Sequence, residues 1–385
     1  MSMADADQAT VPTGRASEIV SVDCFPACLP LKKPLVMSTY RIDSGPVLFV
    51  RVRSRDGMEG WGEAAASPIM SGETLTGMAA AVREMIAPQL IGRAVADRSA
   101  ACAGIRRAMY GNRGALAAVD MALLDLAARM AGVPAVDLLG GALRRSVEPL
   151  WLIGGTGEGE RDVADALALH AKGVRRFKLK VGIAPVDAEA ETVGRLRAAL
   201  GEDCLIAADA NMGWDVQSAL RFTRAAAPFG LEFLEQPTPA GDLARLAAVA
   251  AGSPVPIGAD ESIHALSDIL RHHEAKAIGG ASLKTIKLGG TTQVVAAGAL
   301  CDLLGLSVNL AMMMESSLAA SAMVHAACAV PNVDWGLSLG NLWLAEDPAT
   351  LPLTVRDGRV ECPAGPGLGV TVDERHLAAL AAPAG

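Results

Sequence analysis

Hydrophobic and polar positions alternate strictly at two places early in the chain. Ile19–Pro30 alternates in the manner of a strand, and Pro46–Arg53 (PVLFVRVR) does so again. After the turn signal Asp56-Gly57 the pattern returns over Glu59–Glu63. Successive strand side chains point to opposite faces, so these runs predict strands joined as a hairpin.

The period then lengthens. Apolar residues recur at helical spacing over Leu75–Leu90, Ser99–Met109 and Ala115–Met130. Gly132-Val133-Pro134 breaks the last helix, and Leu138-Leu139-Gly140-Gly141 closes the region. Strands followed by helices, without alternation between the two, predict an α+β domain over residues 19–145, roughly 120 residues long. Residues 1–18 are polar and Ala-rich and predict a disordered tail, not a signal peptide.

Beyond residue 146 the rhythm becomes strand, loop, helix. Short apolar runs occur at Pro149–Gly154, Phe177–Val181, Leu205–Asp209, Leu231–Glu235, Pro256–Asp260, Ala281–Ile286, Ser307–Met313 and Val333–Leu337. Helical patterns lie between them at Asp187–Leu200, Val216–Ala227, Leu243–Ala251, Ala265–His273, Thr292–Leu304 and Ser317–Ala329. Eight strands with intervening helices over roughly 190 residues predict an α/β (β/α) barrel spanning 146–345, with no clear helix in its last unit. The loop-rich segment 346–385 is long enough to return to the first domain and complete it.

Composition narrows the class. The 385 residues are 51% hydrophobic and 20% charged, which is globular. Aromatics make up only 3%, so the core must be built from Ala, Leu, Val and Ile. A net charge of −8 argues against nucleic acid or an anionic membrane as partner and leaves small molecules. Seven scattered cysteines, with Cys24-x-x-x-Cys28 the only close pair, give neither a disulfide framework nor a zinc pattern. A reducing cytoplasm is the simplest setting for them.

The chemistry is concentrated where strand runs end. Lys178-Leu179-Lys180, Asp209-Ala210-Asn211, Glu235-Gln236-Pro237, Asp260-Glu261-Ser262 and Lys284-Thr285-Ile286-Lys287 follow one another at intervals of about one βα unit. A parallel barrel gathers such ends at one mouth, where barrel enzymes carry out their chemistry. Lys178 and Lys180, two apart on a strand, point to one face. Their mutual repulsion and burial would lower a lysine toward neutrality, as a general base requires. Asp209, Glu235 and Asp260 would repel one another unless a cation joins them, and all-oxygen ligation suits Mg²⁺ or Mn²⁺. Taken singly, each carboxylate is better explained as a helix N-cap; the metal reading rests on the three together. Lys284 would face Lys178 and Lys180 across the mouth.

Further candidates surround this set. Asn211 is placed to support Asp209, and Lys287, before Gly289-Gly290, suits a carboxylate or phosphate. Glu315 ends the seventh strand, where it either polarises a substrate oxygen or caps the next helix. Asp334, in Asp334-Trp335-Gly336, lies on the eighth strand run. Asn211, Lys287, Glu315 and Asp334 are therefore the candidate substrate contacts. His325 sits mid-helix and reads as a packed residue.

Together these segments resemble the enolase superfamily, in its muconate-lactonizing-enzyme subgroup (the mandelate racemase/muconate lactonizing enzyme family). Gly60-Trp61-Gly62-Glu63-Ala64, the Leu138–Gly141 turn, the five charged strand ends, Gly289-Gly290 and Gly365-Pro366-Gly367-Leu368-Gly369 carry the resemblance from about Ile19 to Leu380. It implies a capping α+β domain on a (β/α)7β barrel, with the C-terminal tail rejoining the cap. It implies Mg²⁺ on Asp209, Glu235 and Asp260, and Lys180 and Lys284 as the acid/base pair, with Lys178 tuning Lys180. A Lys or His base acting with Mg²⁺ on an enediolate is the chemistry known for this superfamily, and the resemblance implies the lysine version here.

The implied activity is that of an isomerase which abstracts an α-proton from a small carboxylate substrate. It would be cycloisomerase-like or a racemase/epimerase, in a homo-oligomer between dimer and octamer. A dehydratase on the same scaffold, a non-catalytic anion-binding barrel and a Schiff-base aldolase stay open as alternatives. Substrate choice is expected in the cap loops, about 32–44 and 67–73, and on strand eight. Dipeptide epimerases of the subgroup carry Asp-x-Asp there, whereas this chain reads Asp334-Trp335-Gly336. Trp335-Gly336 and Val370–Glu374 look cycloisomerase-like, while Ser67–Thr74 looks epimerase-like and lacks a tyrosine. Arg41, Lys32 and Lys33 are cap-loop charges that suit a distal anionic group or plain solvation.

Overall fold

A computed structural model describes residues 11–382. The alternating runs form an antiparallel sheet of β1 (Ile19–Val36), β2 (Arg41–Ser54) and β3 (Glu59–Ala65), in that order. Val47, Phe49 and their neighbours in β2 are fully buried. The sheet closes on the helix Arg113–Ala131, and the approach is tight enough to demand glycine. A Cβ on Gly62 would lie 2.0 Å from the Ala118 carbonyl oxygen, and one on Gly60 would lie 2.3 Å from that of Ala122. The expectation of a disordered tail to residue 18 needs correction at its end. Residues 1–10 lie outside the described residues, but Arg15–Ser17 form a helical turn, Ser17 is buried, and Glu18 bridges to Ala94. Arg55 and Asp56 hold this turn by donating backbone N–H groups to the Glu18 and Ala16 carbonyls.

After the short β4 (Ser146–Val147), eight parallel strands follow: β5 (Leu150–Gly154), β6 (Arg176–Lys180), β7 (Leu205–Asp209), β8 (Leu231–Glu235), β9 (Ile257–Ala259), β10 (Gly280–Leu283), β11 (Ser307–Ala311) and β12 (Gly336–Ser338). They pair in sequence order, and a Pro149–Leu337 bridge closes the ring between β12 and β5. A helix not among those expected, Gly159–His170, connects β5 to β6. The run expected as strand to Ile286 ends at Leu283 and becomes a helical turn, Thr285–Leu288.

The base of the barrel interior is filled by Leu150, Ala207, Phe233 and Trp335. The Phe233 and Trp335 rings stack at 3.9 Å. Room for the indole comes from Gly258 and Gly280, because a Cβ on Gly280 would lie 2.4 Å from it. The segment after β12 runs back to the cap. β13 (Val360–Glu361) pairs with β4, Gly367 bridges Pro134, and Ala381 bridges Ala27 of β1. Leu368 N–H donates to the buried Asp125 Oδ1 at 2.7 Å. No helix among the described residues is long and apolar enough to cross a membrane.

Candidate active site

The parallel register sets the site. Lys180 pairs with Asp209, and Asp209 with Glu235, so the ends of β6, β7 and β8 lie level. Asp260 follows β9 directly, and Lys284 follows β10. In a ring of eight, β6 and β10 are four strands apart, on opposite sides. Lys180 and Lys284 therefore flank a mouth whose intervening strands end in the three carboxylates.

All of these side chains except Lys180 are buried, and each carboxylate meets an ammonium group. Lys178 Nζ donates to Glu235 Oε2 at 2.7 Å. Lys180 Nζ donates to Asp209 Oδ2 at 2.6 Å and to Asn211 Oδ1 at 2.9 Å. Lys284 Nζ donates to Asp260 Oδ2 at 2.5 Å, and Lys287 to Asp260 Oδ1 at 2.6 Å. Among the described residues no three His, Cys, Asp or Glu side chains converge on one point as a metal-holding group, because each carboxylate is turned onto its lysine.

The electrostatics follow from burial and pairing. Burial acts to lower the Lys178 ammonium, but Glu235 and Asp209 outweigh it and leave it above the ordinary lysine range. Lys284 is raised in the same way by Asp260 and Glu261 against burial. Only Lys287 is lowered, by burial and the neighbouring Lys284. The expected depression from a Lys178–Lys180 repulsion therefore does not appear at Lys178, which faces Glu235 at 2.7 Å. Asp209 and Asp260 stay below the usual carboxylate range, because burial, which would raise them, is overcome by their lysines. Glu235 goes the other way: burial, with Asp209 and Asp260 adding, outweighs Lys178 and pushes it up.

Several supporting residues leave no mark in the sequence pattern. Glu261 is buried, accepts from Asn211 Nδ2 at 3.0 Å, and leaves its Oε2 without a partner. Burial and the charges of Asp260 and Asp209 push its carboxyl up to about 8. Gln236 Oε1 accepts from Asp260 N–H at 2.9 Å and from the Ser262 hydroxyl at 2.9 Å, which fixes the Asp260 turn. Below the mouth, Asn309 Nδ2 donates to Ser282 Oγ at 2.9 Å. Tyr40, from the cap, adjoins Lys284 and the carboxylates, and burial raises its phenol. Asp260 and Glu261 are adjacent in sequence, the one signal that could have drawn attention to Glu261.

Three expected substrate contacts are placed differently. Asp334 precedes β12 and is exposed at the opposite face of the barrel, where its carbonyl accepts from Arg176. A turn with Gly336 at φ 89° delays the strand, so the mouth end of β12 reads Ser338-Leu339-Gly340. Lys287 is fully buried and donates to Asp260 O, Asp260 Oδ1 and Ser282 O, which uses every donor it has. Glu315 is also fully buried; it accepts from Ala65 N–H and Met313 N–H, each at 3.0 Å, and so ties β3 to the loop after β11. Asn211 does reach the site, between Lys180 and Glu261.

A cavity of about 470 Å³ opens between cap and barrel, lined by Tyr40, Ile42, Ser44, Ser67, Ile69 and Met313 among others. Both cap loops contribute to it. Arg41 also lines it, paired with Asp43 at 2.6 Å.

Two family models cover most of the chain. One, described as the mandelate racemase / muconate lactonizing enzyme N-terminal domain, matches residues 19–140. The other, enolase C-terminal domain-like, matches 161–376. The chain is 35% identical to muconate cycloisomerase 1 of Rhodococcus opacus, over 92% of this chain and 96% of that protein. It is 27% identical to the L-Ala-D/L-Glu epimerase of Bacillus subtilis, over 92% and 96%. The crystal structure of a muconate lactonizing enzyme from Pseudomonas fluorescens, complexed with muconolactone, superposes with a TM-score of 0.91 at 29% identity, covering 95% of this chain and all of that one.

Proposed function

Because the chain belongs to the mandelate racemase/muconate lactonizing enzyme family of the enolase superfamily, we propose that it is a divalent-metal-dependent isomerase of a small carboxylate substrate, in which Lys180 and Lys284 exchange a proton at the α-carbon. The observation that carries this reading is their placement on opposite sides of the barrel with three buried carboxylates between them.

The donor set fits a hard cation. Asp209, Glu235 and Asp260 offer only oxygen, on consecutive strand ends, and Glu235 is raised by burial and then by the charges of the other two. These three are the proposed ligands, and Mg²⁺ or Mn²⁺ suits them. A bound divalent cation supplies positive charge to the substrate carboxylate as negative charge develops there. The chain's own groups do the rest. Lys180, in its neutral form, takes the α-proton from one face, and Lys284 serves the other face. Lys178, two residues before Lys180 on the same face of β6, holds Glu235 at 2.7 Å. Asn211 orients Lys180 at 2.9 Å, and the cap reaches the mouth through Ser38 and Thr39, whose hydroxyls donate to the Ala210 and Asn211 carbonyls.

The last strand favours substrates without a free ammonium group. At its mouth end stand Ser338 and Gly340 in place of a carboxylate pair, and a Cβ on Gly340 would lie 1.8 Å from the Met313 carbonyl oxygen. An acidic side chain has no room there. A muconate-type lactone or an N-acylated amino acid is therefore favoured over a dipeptide. The test is solvent-deuterium exchange at the α-carbon of muconolactone and of N-acyl amino acids, with Mg²⁺ or Mn²⁺ and after chelation. Exchange should require the cation, and each of Lys180→Ala and Lys284→Ala should lose exchange of the enantiomer whose α-proton faces the missing lysine. Undiminished exchange of both enantiomers in both variants overturns the two-lysine assignment.

A further inference from the structure

Two arginines of the cap face a cavity without a counter-charge of their own. Arg98, Cys102 and Arg106 are spaced four apart on the helix Arg98–Ala108, so they lie along one face. That face borders a cavity of about 130 Å³, closed on its other sides by Asp120, Leu123 and Leu124 of the helix Arg113–Ala131 and by Thr292 and Gln293 of the helix Thr291–Leu303. Arg106 Nη1 is buried and has no hydrogen-bond partner among the described residues. A buried donor left in that state costs free energy. Burial also lowers the Arg98 guanidinium, and Asp120 and Cys102 offset this only in part.

The carboxylate on the cavity wall is committed elsewhere. Asp120 Oδ2 accepts from Thr292 N–H at 3.2 Å, and Oδ1 accepts from the Thr292 hydroxyl at 2.6 Å. The carboxylate is also packed against Gly290, where a Cβ would lie 2.4 Å from Oδ2. Asp120 therefore caps the helix Thr291–Leu303 and is not free to turn onto a guanidinium. Two positive charges thus share the cavity with one negative charge that already has its own donors.

We propose that this cavity binds a small oxyanion of phosphate size, held between Arg98 and Arg106, with the Ser99 hydroxyl and the Gln293 amide as further donors. The guanidinium fork matches the spacing of two oxygens on such an ion, and charge-assisted bonds of this kind are the strong ones. The volume is large enough for several waters, and so for one phosphate. Leu123 and Leu124 give the cavity an apolar side, which strengthens the attraction by keeping the local dielectric low. The bound ion ties the cap helix Arg98–Ala108 to the barrel helix Thr291–Leu303. The barrel mouth takes no part, and the inference does not rest on the isomerase reading.

Calorimetric titration of the purified full chain with inorganic phosphate, at an ionic strength held constant with sodium chloride, tests this. One phosphate should bind per chain, and Tm should rise by about 3 °C at 100-fold excess over the dissociation constant. Arg98→Gln and Arg106→Gln should each weaken binding by about tenfold or more. Without phosphate, Arg106→Gln should keep the wild-type Tm or exceed it, because it removes an unpaired buried charge; an arginine satisfied by the protein itself would lose Tm instead. In crystals soaked with arsenate, a heavier mimic of phosphate, the anomalous peak should lie between the two guanidinium groups. Absence of binding, binding undiminished in both variants, equal stabilisation by chloride alone, a lower Tm for phosphate-free Arg106→Gln, or an arsenate peak elsewhere overturns the proposal.

Discussion

Lys287 is fully buried with its ammonium on Asp260, donating to Oδ1 at 2.6 Å and to the backbone carbonyl at 2.5 Å. The lysine grips both the side chain and the main chain of one residue. It is a brace beneath the site, set by the helical turn Thr285–Leu288.

Removing that brace leaves a buried carbonyl and part of a buried carboxylate without partners. Lys287→Ala is expected to destabilise the protein by about 3–5 kcal/mol. Denaturant unfolding followed by circular dichroism measures it. A loss below about 1 kcal/mol would show that Lys284 alone satisfies Asp260.

Lys180 and Lys284 should separate by face. Each alanine variant is expected to lower kcat/KM by about 10²–10⁴ for a substrate that uses it as acid or base. Far-ultraviolet circular dichroism should stay unchanged. If exchange follows one substrate enantiomer in Lys180→Ala and the other in Lys284→Ala, the two lysines act on opposite faces. Equal residual exchange of both enantiomers in both variants would contradict that division.

Gly280 has no room for a side chain under Trp335. Gly280→Ala should therefore cost about 1–3 kcal/mol through overpacking and shift the Trp335 fluorescence. Gly280→Ala combined with Trp335→Phe should recover part of the loss, since the smaller ring withdraws from the contact. A neutral Gly280→Ala would mean that the barrel base is loosely packed.

Two buried acids join cap and barrel, and they make stability pH-dependent. Burial, with the charge of Glu315 adding, pushes Glu63 up to about 8, against its bonds from Ser316. Burial pushes Glu315 up to about 7. The folded state then holds more protons than the unfolded state between the ordinary value near 4.5 and these raised values. Their contribution is complete below that ordinary value and is lost as pH rises through 7 and 8. Each group should lower stability by roughly 1.4 kcal/mol per pH unit across its window. Urea unfolding from about pH 5 to 8 on the wild type and on Glu63→Gln checks this, and the variant should show the shallower slope. Identical slopes would mean that Glu63 is ionised throughout.

Much of the site was legible because strand ends can be counted. The apolar runs before Lys178, Asp209, Glu235, Asp260 and Lys284 located five barrel strands, and parallel pairing carried their ends to one mouth. Asp334 failed the same reasoning: Val333–Leu337 reads as a strand, yet a turn postpones β12 until Gly336. That shift of a few residues moves Asp334 to the far face of the barrel. Glu315 and Lys287 stand out as charges at the mouth, but charge alone does not tell a buried brace from a substrate contact. Glu261 and Gln236 sit within the strand-end motifs, and their hydrogen bonds across neighbouring strands leave no trace in the linear pattern.

The sequence by itself determined the change of period from two to helical and then to strand and helix in turn, and with it a cap followed by a barrel. It also determined which charged residues end strands, because both properties are local to a few residues. The tertiary structure decided the rest. It chose which carboxylate each lysine faces, whether an acid points to substrate or to a neighbouring backbone, and where β12 begins once Trp335 has filled the space over Gly258 and Gly280. It also set Cys362 beside His325 and left Cys24 and Cys28 apart along one strand. These outcomes depend on close packing between distant segments, where a fraction of an ångström separates contact from collision, and local periodicity carries no such distances.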